Sequence, residues 1–381
     1  MLLIESRQIV REHDLFACIQ CGKCTGGCPM AIKTRLNPRI LIYRLLVSEN
    51  GFDLEGREEL WDCTTCSTCS GRCPKQVNPM EMMVALRSHF VERGRVHPNV
   101  KTALESTFRY GNPLTMPREE RAAWVGDLPV KSYEEGSEYL YFVGCTPSYD
   151  PRVQQVARSL ARLFARAEVN FGILGEGESC CGSEVRRLGE AGLFEMIVEE
   201  NQELFKSVGV NKMVTTSPHC FNVFKNDYPK NGVQVEHYTQ LLSALLGKNG
   251  GGASGHLSFT GGLQAAVTYH DPCYLGKHNQ IFDEPRKVLQ SIPGLRLVEM
   301  DRSREKSLCC EGGGGRMWLE GTNPGIRLAQ SRVKEAMETG AEILATACPF
   351  CLLTLEEAVK HLNAEDKIRV MDIAEIAAQA L

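Results

Sequence analysis

His270-Asp271-Pro272-Cys273, Leu308-Cys309-Cys310-Glu311-Gly312-Gly313-Gly314-Gly315-Arg316-Met317-Trp318 and Ala347-Cys348-Pro349-Phe350-Cys351 put five thiols into three clumps within residues 270–351. Thiolates this far apart in sequence are gathered by something soft and cationic, so the stretch reads as a metal site. Disulfides are the competing reading, but they belong mainly to short secreted chains. This chain has 381 residues, and Met1-Leu2-Leu3-Ile4 passes directly into the charged stretch Glu5 to Asp14, with no apolar export core or cleavage site. A cytoplasmic location with reduced thiols is expected, and metal accounts for the 17 cysteines.

Composition narrows the class further. With 43% apolar and 24% charged residues there is material for two or three ordinary domains. Net charge is −4 and basic residues are scattered among acidic ones, which argues against nucleic acid as a partner. The nearest approach to a membrane span, Ile40 to Val47, is interrupted by Arg44 and far shorter than the roughly 18 apolar residues required. No transmembrane segment is predicted, and membrane contact would come through a membrane-anchored partner.

Residues 1–110 carry one motif twice. Cys18, Cys21, Cys24 and Cys28-Pro29 form the first copy, and Cys63, Cys66, Cys69 and Cys73-Pro74 the second. Each reads C-x2-C-x2-C-x3-C-P, the bacterial ferredoxin run, in which three thiolates hold one [4Fe-4S] cubane and the fourth crosses to the other. The spacing predicts one cubane on Cys18, Cys21, Cys24 and Cys73, and a second on Cys63, Cys66, Cys69 and Cys28. Zinc knots usually split their ligands into two separated pairs instead. Helical periodicity over 38–50 and 79–93, with Met80, Met82, Met83, Leu86 and Phe90 on one side of the second, predicts a mainly helical setting.

Residues 111–137 lack a sustained period and contain Pro113, Pro117 and Pro129, so a connecting segment is expected. From 138 the pattern becomes β-α-β: an apolar run at 139–143, helical spacing from Val153 to Phe164, and a second run at 169–174. Self-comparison then shows a duplication. Cys145, Cys180-Cys181 and Cys220 precede Cys273, Cys309-Cys310 and Cys351 by 128 to 131 residues, with similar internal spacing. The predicted modules are 138–246 and 256–381, joined by a glycine-rich linker at 247–255. The fold class expected is α+β, with a helical two-cluster unit followed by two tandem α/β modules. Thiols following strands could converge at the carboxyl ends of each sheet. In the first module Ser217 stands where the second has Cys348, so its four thiols, with Ser217 or His219 nearby, could hold a [4Fe-4S] cluster, a zinc ion, or nothing.

The paired modules resemble the cysteine-rich CCG domain, and the chain over about residues 12–375 resembles the catalytic subunit of heterodisulfide reductase. That resemblance implies a noncubane [4Fe-4S] cluster at Cys273, Cys309, Cys310, Cys348 and Cys351, with Gly312, Gly313 and Gly314 letting backbone N–H groups approach it. It further implies an iron-sulfur oxidoreductase subunit that takes electrons from a flavoprotein or other iron-sulfur subunits and reduces a disulfide-type acceptor. Its alternative is a relay within a larger complex of the quinone-linked, lactate/glycolate or benzoyl-CoA reductase type. Glu311 departs from the family, many of whose members have glycine there. A phosphate cradle is a rival reading of the glycine run, but no Lys-Ser/Thr follows it. His270, Asp271, Lys277, His278 and Arg316 are further candidates for proton supply or anion binding, and Asp271 could equally cap the helix that follows it. No Rossmann glycine fingerprint lies between a strand and a helix, which assigns flavin or nicotinamide to a partner.

Overall fold

The computed structural model describes every residue except 1, 2, 5, 49, 50, 231, 247–255, 324 and 326. The linker expected at 247–255 therefore lies outside the described residues, as does the end of the 38–50 stretch.

The N-terminal part is helical, apart from a two-stranded antiparallel ribbon of β1 (Leu3–Ile4) and β2 (Phe52–Asp53). The two periodic stretches form the Pro38–Val47 and Pro79–Val91 helices. Each begins with the same device. Asn37 and Asn78 accept backbone N–H bonds as N-caps, and Pro38 and Pro79 sit at the first helical position, where a missing N–H costs nothing. Leu41, Ile42, Leu45, Met82, Met83 and Leu86 are buried in one core beneath the cysteine motifs.

The two halves that follow have one topology. In the first, β3 (Tyr139–Phe142), β4 (Phe171–Gly172), β5 (Lys212–Thr215) and β6 (Gln234–His237) form a parallel sheet ordered β4-β3-β5-β6. In the second, β7 (Ala265–Tyr269), β8 (Leu295–Leu297), β9 (Ile343–Thr346) and β10 (Arg369–Asp372) repeat it as β8-β7-β9-β10. Chain order reverses beside β3 and β7, and the crevice at such a point is where open α/β sheets place their ligands. Cys145 follows β3 and Cys273 follows β7. Cys220 follows β5, and Cys348 and Cys351 follow β9.

One apolar core runs through both sheets, from Tyr141 and Phe164 through Leu242 to Val267, Ile343 and Ile373. The Pro151–Arg166 helix of the first half packs on the Ile373–Ala378 helix of the second. Tyr238 Oη donates to Asp372 Oδ1 across this core at 2.6 Å. The 111–137 segment is more than a connection. Trp124 packs edge-on against Tyr141 at 6.0 Å, and Ser132 pairs with Ile173 beyond β4. Among the described residues, no helix is long and apolar enough to cross a membrane.

Candidate metal centres

Cys18, Cys21, Cys24 and Cys73 line one small cavity, and Cys28, Cys63, Cys66 and Cys69 line another. Each motif contributes three thiols to one cavity and its fourth to the other, because the short helices Lys23–Gly27 and Thr68–Gly71 pack together. The backbone repeats as well. Gln20 and Gly22 in the first motif, and Thr65 and Ser67 in the second, have φ of 56°, 78°, 50° and 61°. Left-handed backbone at non-glycine residues costs on the order of 1–3 kcal/mol each and persists where the surroundings demand it. Here it curls three successive thiols inward. Cys21 is exposed at the first cavity, whereas Cys63 and Cys66 are buried at the second. Burial, with the charges of Cys66 and Cys63, pushes the Cys28 thiol up to about 12, so thiolate formation there depends on a cation.

In the second module, Cys310 Sγ lies 3.2 Å from Cys351 Sγ, while Cys309 neighbours Cys273 and Cys348 neighbours Cys351. Four of these five are buried, and Cys273 is partly exposed. His270 has a ring nitrogen within 4.8 Å of both Cys310 and Cys351. Its Nδ1 accepts from Arg332 Nε at 3.1 Å, which fixes the hydrogen on Nε2. Burial opposes ionisation of Cys348, but the neighbouring Cys351 and His219 outweigh it and bring the thiol down to about 5. A soft, thiolate-rich set suits iron-sulfur chemistry.

The second module's thiols abut the second ferredoxin motif. Cys309 donates to Thr64 Oγ1 at 3.4 Å, and Cys66 neighbours Cys309. The glycine run makes room for this approach. A Cβ on Gly314, at φ 66°, would sit 2.7 Å from Cys63 O, and one on Gly313 would be 3.2 Å from Thr64 O. Gly312 lies against Phe350 and Thr354. The fully buried Arg87 guanidinium ties the junction, donating to Leu60 O, Cys63 O, Arg187 O and Gly314 O at 2.6–3.1 Å. Tyr274 adds a 2.6 Å hydrogen bond to Thr65 Oγ1 and stacks on His278 at 4.2 Å.

Several expected proton or anion groups are engaged structurally. Lys277 Nζ donates to Thr68 Oγ1 and Ser307 O, and His278 Nε2 to Thr65 O at 2.9 Å. Asp271 makes a two-pronged pair with Arg286 at 2.6 and 3.0 Å rather than capping a helix. Arg316 bonds Glu311 at 2.6 Å and Glu320 O at 2.8 Å. Glu311 takes left-handed φ of 69° and also accepts from Leu328 N and Lys33.

The first module gathers Cys145, Cys180, Cys181 and Cys220. Cys181 Sγ lies 3.2 Å from Cys220 Sγ, and Cys145 neighbours Cys180. Arg121 reaches in from the 111–137 segment, with Nη2 3.6 Å from Cys145 Sγ and 2.8 Å from Glu178 Oε1. Ser217 caps the Pro218–Asn222 helix by accepting from His219 N at 3.2 Å. The His219 side chain joins the second module's site instead. Arg87, Arg121, Tyr274 and Glu184 gave no signal in sequence, since an isolated residue outside any spacing motif looks like a surface residue.

Known families match in the same order. The 4Fe-4S dicluster domain matches residues 14–77, and the cysteine-rich domain CCG matches 139–225 and 267–356. The chain is 34% identical over 429 residues to the probable iron-sulfur-binding oxidoreductase FadF of Bacillus subtilis, covering 97% of this chain and 60% of that one. It is 33% identical to the EtfAB:quinone oxidoreductase of Syntrophomonas wolfei, over 97% of this chain and 58% of that one. It thus spans about six-tenths of these relatives. With one subunit of the dihydromethanophenazine:CoB–CoM heterodisulfide reductase of Methanosarcina barkeri it shares 32% identity over 98% of this chain and 95% of that one. A hypothetical protein from Helicobacter pylori shares the fold, with a TM-score of 0.53 at 11% identity over 99% of this chain and 71% of that one. With a dicluster ferredoxin unit and two cysteine-rich modules on one chain, the protein belongs to the family of iron-sulfur oxidoreductases that includes this heterodisulfide reductase subunit.

Proposed function

We propose that this chain carries electrons from a flavoprotein or iron-sulfur partner through two [4Fe-4S] cubanes to a noncubane [4Fe-4S] cluster, and there reduces a disulfide-type acceptor. The cubanes would be held by Cys18, Cys21, Cys24 and Cys73, and by Cys63, Cys66, Cys69 and Cys28. Cys273, Cys309, Cys310, Cys348 and Cys351 would hold the third group. Bound there, these groups supply one-electron transfer and, at the five-thiol set, an iron able to meet a substrate sulfur. The observation that carries the reading is the approach of Cys66 to Cys309, which brings a ligand of one proposed centre against a ligand of the next.

The chain's own residues set the direction of this route. Cys21 is exposed at the outer end, and residues 16–47 also expose Phe16, Ile19, Ile32, Tyr43 and Val47, an apolar surface suited to a protein partner. At the inner end Gly313 and Gly314 permit close approach while Arg87 holds the two backbones in register. In the first module, Cys145, Cys180, Cys181 and Cys220 would hold an iron-sulfur cluster or zinc.

A relay without substrate chemistry is the second reading, favoured by the burial of Cys309, Cys310, Cys348 and Cys351 at 1–4% exposure. The test is an anaerobic assay of the dye-reduced chain against several disulfides, with Cys310→Ser as control. Turnover lost in the variant supports catalysis, and absence of turnover while the dye still reduces every cluster supports the relay.

A further inference from the structure

The loss of a thiol at Ser217 leaves the adjoining loop with a different task. His219 is 5% exposed, and its ring lies 4.1 Å from that of Tyr274 and 4.9 Å from that of Phe350, both in the second module. Its Nδ1 meets Glu184 Oε1 at 3.0 Å, and the other Glu184 oxygen accepts from Gly315 N at 2.7 Å. That carboxylate is therefore anchored at the end of the glycine run and fixes the plane of the imidazole. Cys348, two residues before Phe350, borders the same ring. With Nδ1 committed to Glu184, Nε2 is left to face the sulfur.

We infer that the first module supports the second module's centre directly: His219, oriented by Glu184, donates a hydrogen bond from Nε2 to Cys348 Sγ and thereby raises that centre's reduction potential. The inference rests on the five-thiol site proposed above. A hydrogen bond to a cluster thiolate draws electron density from sulfur and favours the more negative, reduced state. The second module has its own counterpart in His270, which has a ring nitrogen within 4.8 Å of Cys310 and Cys351. The two imidazoles thus come from different modules and address different thiols, and the one from the first module occupies a loop that no longer supplies a full ligand set. His219 is a positioning residue here, acting through Cys348.

The test is a potentiometric titration of the whole reconstituted chain, followed by EPR, on wild type, His219→Ala, His219→Gln and Glu184→Gln. The expected result is a lower midpoint potential for the second-module centre in His219→Ala with iron content and cubane potentials unchanged. Partial recovery is expected in His219→Gln, which keeps one N–H donor, and a smaller downward shift in Glu184→Gln. An unchanged potential in His219→Ala at full iron content overturns the inference. Loss of this centre's iron from the Ala and Gln variants alike also overturns it, because the ring would then be a ligand.

A wild-type chain with no iron at the five-thiol set refutes the functional reading separately. The hydrogen bond is then read on the metal-free chain from 15N-histidine spectra. A His219 Nε2 resonance displaced by Cys348→Ser supports it, and one indifferent to that substitution overturns it.

Discussion

Cys181 is followed by Gly182 and Cys310 by Glu311, and both following residues take left-handed backbone, with φ of 77° and 69°. At Gly182 this conformation is nearly free of cost, and a side chain there would meet Phe194 at 2.8 Å. At Glu311 it is strained, and the strain is offset by a buried carboxylate that binds Arg316, Lys33 and Leu328 N. Lys33 belongs to the ferredoxin part. The same turn in duplicated modules is therefore used once for local packing and once to fasten the module to its electron-transfer neighbour. The first module is instead closed by Arg121 and Glu178, with the guanidinium set beside Cys145. A duplicated sheet fixes where thiols emerge, and the surrounding loops decide what each set can do.

The largest effect that would break this comparison is in metal content. The reconstituted wild type is expected to hold about twelve irons if only the second module and the two cubanes are loaded, and about sixteen if the first module is loaded too. Cys310→Ser should lose about four irons and the corresponding EPR signal, leaving both cubanes. Iron and zinc analysis of Cys181→Ser then reads the first module alone. A total of about eight in wild type would remove the asymmetry altogether.

Next in size is the junction. Arg87→Ala leaves four backbone carbonyl partners without their charged donor, and a loss of about 3 kcal/mol or more is expected by denaturant unfolding. Arg121→Ala should affect the first module's thiols while sparing the second module's EPR signal. If the two substitutions gave the same spectroscopic change, the division between the modules would fail.

Glu311→Gly is a smaller and more specific probe. It relieves a left-handed backbone worth about 1 kcal/mol but removes a buried acceptor from Arg316, so a net loss of about 1–3 kcal/mol is expected. Gly182→Ala should cost a comparable amount by strain and contact with Phe194. A stabilised Glu311→Gly would mean that its ties across the junction contribute little.

The last effect is in pH dependence. Burial pushes His237 in the first module and His278 at the junction down to about 3. Both stay neutral in the folded chain, while the unfolded chain protonates them below about 6.5. The unfolded state then binds more protons, so each histidine lowers stability as pH falls from about 6.5 toward 3, at up to about 1.4 kcal/mol per pH unit. Urea unfolding at pH 5, 6 and 7 should show a shallower slope for His237→Gln than for wild type. An identical slope would count against a neutral, buried His237.

The legible parts share one property, in that each is carried by spacing within a short stretch. The C-x2-C-x2-C-x3-C-P runs, the 128–131-residue repeat and the capped helices at Pro38 and Pro79 are local patterns, and local sterics and hydrogen bonding shape them. The glycine run was visible too, and the fold adds a role to it. Gly313 and Gly314 admit the backbone of Cys63 and Thr64, a neighbour some 250 positions away in the chain. Asp271 likewise had the look of a helix cap, and the long-range partner Arg286 claims it.

Sequence alone determined the kind of chemistry, because seventeen cysteines in ferredoxin spacing and duplicated clumps leave soft-metal binding as their common purpose. It also determined the asymmetry, since Ser217 is a one-residue fact. Only the tertiary structure decided that Cys66 meets Cys309, that Arg121 attends the first set, and that His219 crosses to Cys348. The physical reason is range. Thiol spacing reflects the reach of one loop, whereas these contacts arise from packing three separately patterned units, and packing leaves no period in the chain.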